Sequence, residues 1–179
     1  MFQHIPAGRR LRSAGLLLLT MTLGIGAAEA CRRPLEEQLM RPDRQLAFAR
    51  DVAVARVVSA LPVSDDTVEY RFVVLKRLAG PGLDSFTLHG MASDARFVSQ
   101  RIEQSDHDGL KFWARGGGRV MNDPACVIRP GLMLGQAYLV ILNKPYTWRS
   151  FGHIATVGGR FDAEDKWLMY VKGRLGGRL

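Results

Sequence analysis

The first thirty residues constrain this chain most, because they have the form of a removable export leader. A basic start, with three arginines among residues 9–12, precedes an apolar run over residues 14–28. Ala28 and Ala30 then form the small-residue pattern that a signal peptidase accepts. The apolar run is about 15 residues long, short of the roughly 20 that a membrane-spanning helix needs. The sequence therefore predicts cleavage after Ala30 and an exported protein, either periplasmic or secreted.

Cys31 would be the first residue of the mature chain, and two fates are open to its sulfur. An even number of cysteines in an exported chain predicts a disulfide, and the second cysteine is Cys126. A Cys31–Cys126 bridge would close a loop of about 95 residues and stabilise the fold by about 4–5 kcal/mol. The alternative is a lipoprotein anchored at Cys31. Such sites usually have Leu three residues and a small residue two residues before the cysteine, where this chain has Ala28 and Glu29.

Cleavage leaves residues 31–179, and these 149 residues suit a single domain with a substantial core. The leader holds three Arg and one Glu, so its removal lowers the formal net charge from +8 to +6. A basic exported protein is suited to a protein partner or to an anionic component of the cell envelope. The positive charges are scattered rather than grouped, so no nucleic-acid partner is expected. A membrane contact is expected only if Cys31 is lipidated.

Apolar periodicity predicts a chain made mostly of strands. Five strands are expected, over Val52–Ala60, Thr67–Leu78, Phe86–His89, Gln136–Leu142 and Ile154–Val157. A short helix is expected over Arg44–Arg50, and a C-terminal helix is expected to begin with Asp162 as its N-cap and to pack through Trp167. The segment 91–130 lacks a regular pattern and is predicted to be a long loop.

Several features follow one another in a distinctive order. They are Cys31, a helical segment ending Phe48-Ala49-Arg50-Asp51, two long strands, Gly80-Pro81, and Cys126 ahead of Gly135-Gln136-Ala137-Tyr138-Leu139-Val140. This order resembles the netrin/TIMP-like modules of secreted proteins, and the resemblance covers about residues 31–142. It implies a mainly β fold, a five-stranded OB-like barrel with flanking short helices, including a C-terminal helix.

Family members that inhibit metalloproteases chelate the catalytic zinc through the mature N-terminal cysteine. The resemblance therefore implies an alternative function, in which Cys31 of this chain binds the zinc of a metalloprotease. An α-amine has a pKa near 7.7–8.0, so a neutral fraction would be available at pH 7 to join the Cys31 carbonyl on the metal. This chain departs from the inhibitors at Arg32, where they have a small residue, and at Arg33, where they have a second cysteine.

A group of aromatic and basic residues lies in the predicted loop. Its members are Lys111, Phe112, Trp113, Arg115 and Arg119. OB barrels use this combination to stack on rings and to bind phosphates. The alternative is that one aromatic ring fills the barrel while the basic side chains stay solvated. Because the predicted bridge would bring the mature N-terminus to this loop, Cys31 and Arg32 join the candidate contact surface.

Three histidines provide the basis for an enzymatic alternative. His89, His107 and His153, with Asp106 and Asp108, could bind a metal if they converged in the fold. An Asp-Gly step in a polar loop is also ordinary turn chemistry, and the sequence has no Gly-x-Ser-x-Gly nucleophile motif. We therefore expect no metal, no cofactor and no enzymatic activity. The predicted function is an exported, non-enzymatic binding protein of the cell envelope.

Overall fold

A computed structural model describes residues 36–91, 105–115 and 128–176 of the chain. The predictions for the leader, Cys31, Arg32, Arg119 and Cys126 lie outside these residues. The described part contains seven strands and three α-helices, with short 3-10 segments at Glu36–Gln38 and Trp148–Ser150. None of the helices within these ranges is long and apolar enough to cross a membrane.

Five strands form the main sheet. They are β1 (Val52–Pro62), β2 (Thr67–Ala79), β3 (Ser85–Met91), β4 (Ala137–Ile141) and β5 (Phe151–Ile154). They pair antiparallel in the order β3-β2-β1-β4-β5. Three register shifts interrupt the β1–β2 pairing, and such bulges increase the local twist. The sheet curls into a half-barrel, so the predicted mainly β, barrel-like fold with flanking helices is confirmed.

Strand β1 is the centre of the sheet, and its first half is buried on both faces. Its residues Val52 and Val54 face a core shared with the helices, and Ala53, Ala55 and Val57 face a second core. Each of the five side chains is fully buried. This two-sided burial explains why β1 begins with four consecutive apolar residues, Val52–Ala55, instead of an alternating pattern.

The three α-helices are α1 (Pro42–Phe48), α2 (Leu110–Trp113) and α3 (Lys166–Gly176). Helix α1 begins two residues earlier than predicted because Pro42 occupies its first turn, where a missing N–H group is harmless. Helix α2 lies within the segment that was predicted to be a loop. Trp167 of α3 is fully buried in the helix-side core, which confirms its predicted packing role.

The predicted N-cap of the C-terminal helix is wrong by three residues. Asp165 is the cap, because its Oδ1 accepts a hydrogen bond from the Leu168 N–H at 2.9 Å and its carbonyl accepts one from Met169 at 2.8 Å. Asp162 instead accepts a hydrogen bond from the Glu164 N–H at 2.9 Å, in the turn before the helix.

The fifth predicted strand is divided in two. Strand β5 ends at Ile154, and the Ala155 carbonyl accepts a hydrogen bond from the Asp162 N–H at 2.7 Å. The chain then forms a separate hairpin from β6 (Thr156–Val157) and β7 (Arg160–Phe161). Two glycines at φ 57° and 78° make its turn, a backbone conformation that side chains with a Cβ rarely adopt.

Candidate functional site

Four aromatic rings join α2 to α3. They belong to Phe112 and Trp113 of α2 and to Trp167 and Tyr170 of α3. The ring centroids of Trp113 and Tyr170 are 5.1 Å apart, and those of Phe112 and Trp167 are 5.4 Å apart, both nearly perpendicular. Phe112 and Trp167 are buried, whereas Trp113 and Tyr170 are half-buried. The two outer rings therefore reach solvent from a fixed aromatic base.

His107 anchors the segment that carries α2. Its side chain is 4% exposed, and its Nδ1 lies 2.6 Å from Oδ2 of Asp165. Because an ionised carboxylate only accepts hydrogen bonds, Nδ1 carries the proton in this pair. The His107 carbonyl also accepts a hydrogen bond from Trp113 Nε1 at 2.9 Å, and its ring packs on Phe112 at 4.5 Å. The N-cap of α3 thus also positions the aromatic rings of α2.

Arg149 holds α2 from beneath with a guanidinium that is fully buried. Its Nη1 donates to the Phe112 carbonyl at 2.8 Å and to the Ala114 carbonyl at 3.0 Å. Its Nη2 donates to the Met40 carbonyl, in the segment before α1. Burial lowers the pKa of Arg149 to about 10, which leaves it protonated at neutral pH. A buried cation thus connects two chain segments to the sheet.

Exposed cations lie on the same two segments as the half-buried rings. Lys111 is exposed on α2, and the Arg174 guanidinium lies over the Tyr170 ring, 5.3 Å from its centroid. Arg115 is 61% exposed, forms an ion pair with Glu36 and donates from Nε to the Leu39 carbonyl at 3.0 Å. We call the set of Lys111, Trp113, Arg115, Tyr170 and Arg174 the aromatic–basic surface.

The predicted contact residues differ in how far they are exposed to solvent. Lys111 and Arg115 are exposed and Trp113 is half-buried, so all three reach solvent from the short segment that carries α2. Phe112 is only 3% exposed and belongs to the core, which removes its ring from any contact surface. This is the arrangement in which one aromatic ring fills the interior while the basic residues stay solvated. Both the zinc-chelating and the lipoprotein alternatives depend on Cys31, outside the described residues.

Sequence reasoning did not predict the burial of Arg149 or the contact of Arg174 with the Tyr170 ring. An arginine normally indicates exposure, and the burial of its neighbours Trp148, Ser150 and Phe151 is seen only in the fold. The Tyr170 and Arg174 pair has the i, i+4 spacing that places two side chains on one helix face, so that signal was available.

The three histidines do not form one site. His89 lies on β3 with its Nε2 3.6 Å from Glu69, at the opposite edge of the sheet from β5. His107 and His153 are neighbours across Gly152, where an added Cβ would lie 3.4 Å from His107 Nε2. In the part of the chain that the structure describes, no group of three His, Cys, Asp or Glu side chains could hold a metal ion.

His153 is expected to make the stability of the fold depend on pH. Burial lowers its pKa below the ordinary 6.5, His107 adds to the decrease and Asp165 opposes it. The unfolded chain therefore takes up this proton first as the pH falls. We expect the free energy of unfolding to decrease below about pH 6.5, by at most about 1.4 kcal/mol per pH unit from this group.

Urea unfolding over a series of pH values measures this effect. His153→Gln removes the titrating group and keeps a side chain that can hydrogen-bond, so its stability should decrease less on acidification than that of the native protein. Equal pH dependence in the two proteins would exclude His153 as the source.

No protein-family model matches the sequence, and no match was found among curated proteins.

Proposed function

We propose that this chain is an exported, non-enzymatic binding protein of the cell envelope, and that it binds an anionic partner through the aromatic–basic surface. The observation that carries the proposal is the contact between Trp113 and Tyr170 on two segments that also carry three exposed cations, Lys111, Arg115 and Arg174. The residues come from two distant parts of the chain.

The support beneath this surface favours binding. Trp113 is held by a hydrogen bond to the His107 carbonyl and by ring contacts with Trp167 and Tyr170 at 5.9 and 5.1 Å. Arg149 fixes the α2 backbone at two carbonyls. A surface that is ordered before binding loses less conformational entropy when a partner arrives, so more of the contact energy becomes affinity.

The net charge and the predicted export both favour an anionic partner. The mature chain would carry a net charge of +6, and the leader predicts export to an envelope where acidic polymers and headgroups are exposed. Exposed cations attract such partners over about 10 Å at moderate salt, and added salt screens the attraction. The proposed binding must therefore weaken as the ionic strength rises.

Binding to soluble polyphosphate, measured by calorimetry over a range of salt concentrations, tests the proposal. We expect salt-sensitive binding that the Lys111→Ala, Arg115→Ala, Arg174→Ala triple variant weakens by about tenfold, since each exposed charge contact contributes about 0.2–1 kcal/mol. The matched control is the triple variant Arg71→Ala, Lys144→Ala, Arg160→Ala, which removes three exposed cations that lie outside α2 and α3. Affinity that does not change with salt concentration, or an equal loss of affinity in both triple variants, would contradict the proposed surface.

A further inference from the structure

Resting on the proposed function, a second set of exposed side chains identifies the class of anionic partner. We propose that the partner is a lipid bilayer surface with acidic headgroups, which the protein contacts with the outward faces of α2 and α3. The sequence led us to expect a membrane contact only through a lipid on Cys31. The described residues offer a contact surface that needs no such modification.

Helix α3 has the composition of a helix that lies on a charged interface. Its 11 residues include three cations, Lys166, Lys172 and Arg174, and no acid. Its inward face is buried through Trp167, Leu168, Val171 and Leu175. The outward face carries the cations together with apolar atoms, which is the pattern of a basic amphipathic surface.

An exposed methionine lies at the centre of the outward face. Met169 is 44% exposed, and the Lys172 ammonium lies 3.7 Å from its sulfur. Tyr170 and Arg174 flank it on the side that faces α2. Long basic side chains can bury their stems against apolar material while their charges stay at the headgroup level. This arrangement suits a partner in which acidic groups lie within a few ångströms of an apolar phase.

Helix α2 repeats the same combination. Leu110 is 90% exposed, and the next residue, Lys111, is exposed as well. Leu110 precedes Trp113 by about one turn, and the Trp113 ring meets Tyr170 of α3. Each helix therefore presents one exposed apolar side chain beside a cation and a half-buried aromatic ring.

Charge is separated along α3, which indicates the end that approaches the membrane. The exposed acids Asp108 and Glu164 lie at the N-terminal end of α3, and Asp108 neutralises Lys166. The cations Lys172 and Arg174 lie at the other end. We infer that the C-terminal half of α3 and the part of α2 beside it, where Trp113 meets Tyr170, face the bilayer.

The apolar contribution distinguishes a bilayer from other anionic partners. A soluble polyanion offers nothing to Leu110 or Met169. A protein interface generally has one contiguous apolar core, whereas these two side chains stand on different helices. A bilayer accepts separate insertions, because headgroups close around each one.

Sedimentation with lipid vesicles tests the inference on the exported protein. Vesicles of phosphatidylcholine alone are compared with vesicles of equal parts phosphatidylcholine and phosphatidylglycerol. We expect salt-sensitive binding to the acidic vesicles alone. Lys111→Glu with Arg174→Glu should weaken this binding by well over tenfold, because each removed cation near the surface contributes about fivefold. The charge-matched control, Arg71→Glu with Lys144→Glu, should have a much smaller effect.

The double variant Leu110→Ser, Met169→Ser provides the decisive comparison. It leaves every charge in place, and we expect it to weaken vesicle binding by about tenfold while polyphosphate binding stays unchanged. Unchanged vesicle binding would overturn the lipid inference. Binding of polyphosphate or of polyglutamate without binding of acidic vesicles would also overturn it and leave the proposed anionic-partner function standing. Binding to none of these probes would overturn both.

Discussion

Replacing Arg149 with Met is expected to lower the free energy of unfolding by about 3 kcal/mol, because one buried and two part-buried carbonyl groups lose their donor. The guanidinium donates to the carbonyls of Met40, Phe112 and Ala114. Met fills much of the same volume and brings no buried charge. Removal of the charge on its own would be neutral or stabilising, since Arg149 loses its hydration in the fold. The unbonded acceptors that remain outweigh this gain.

The matched control for this prediction is Arg115→Met. Arg115 donates to the Leu39 carbonyl and pairs with Glu36, so it connects the same two segments as Arg149, but from the exposed surface. Exposed pairs contribute about 0–1 kcal/mol, so Arg115→Met should lower stability by less than 1 kcal/mol. Urea unfolding measures both values. A loss at Arg149 no larger than the loss at Arg115 would show that water or a local shift satisfies the carbonyls.

The second large effect is expected at Trp167, where Ala should destabilise the fold by about 3–5 kcal/mol. The ring is fully buried and contacts Phe112, Trp113 and Tyr170. Its removal leaves a cavity between α3 and the sheet. It also removes the ring on which Trp113 and Tyr170 of the aromatic–basic surface pack. Thermal or urea unfolding measures the loss, and anion binding should fall with it in conditions where the variant still folds.

The variant Trp167→Phe keeps an aromatic ring and removes the indole N–H group, so it separates their contributions to stability. Trp167 Nε1 is buried and finds no acceptor among the described residues. A buried donor without a partner destabilises the native state, so its removal offsets part of the volume that Phe lacks. We expect Trp167→Phe to lower stability by about 1 kcal/mol or less. A loss as large as that of the Ala variant would mean that the indole nitrogen is bonded in solution.

The long strands could be predicted from the sequence because their side-chain period is strong. Val68, Tyr70 and Phe72 alternate with more exposed residues, and all three are buried in β2 as expected. Helix α2 could not be predicted, because four residues are too few to show a helical period. The cap of α3 was misplaced because Asp162 and Asp165 both precede the apolar stripe, and the contact between His107 and Asp165 that distinguishes them is long-range.

The candidate site was predictable in its residue types and only in part in its geometry. Lys111, Trp113 and Arg115 could be chosen from local composition, since basic and aromatic residues interleave there. The burial of Phe112 depends on α3, and α3 lies more than 50 residues away in the chain. The role of Arg149 depends on three carbonyl groups from two other segments. Neither is visible before the chain has folded.

Because the first half of β1 is buried on both faces, the molecule has two separate cores that share one strand. The core on the helix side supports α2, α3 and the aromatic–basic surface, while the other core holds Tyr70, Phe72 and Tyr138 away from them. Substitutions that preserve side-chain volume in the core around Tyr70 therefore leave the aromatic–basic surface unaltered. Substitutions in the core on the helix side change both the stability of the fold and the recognition of the partner. Homologous chains should accordingly vary more freely in one core than in the other, wherever recognition is under selection.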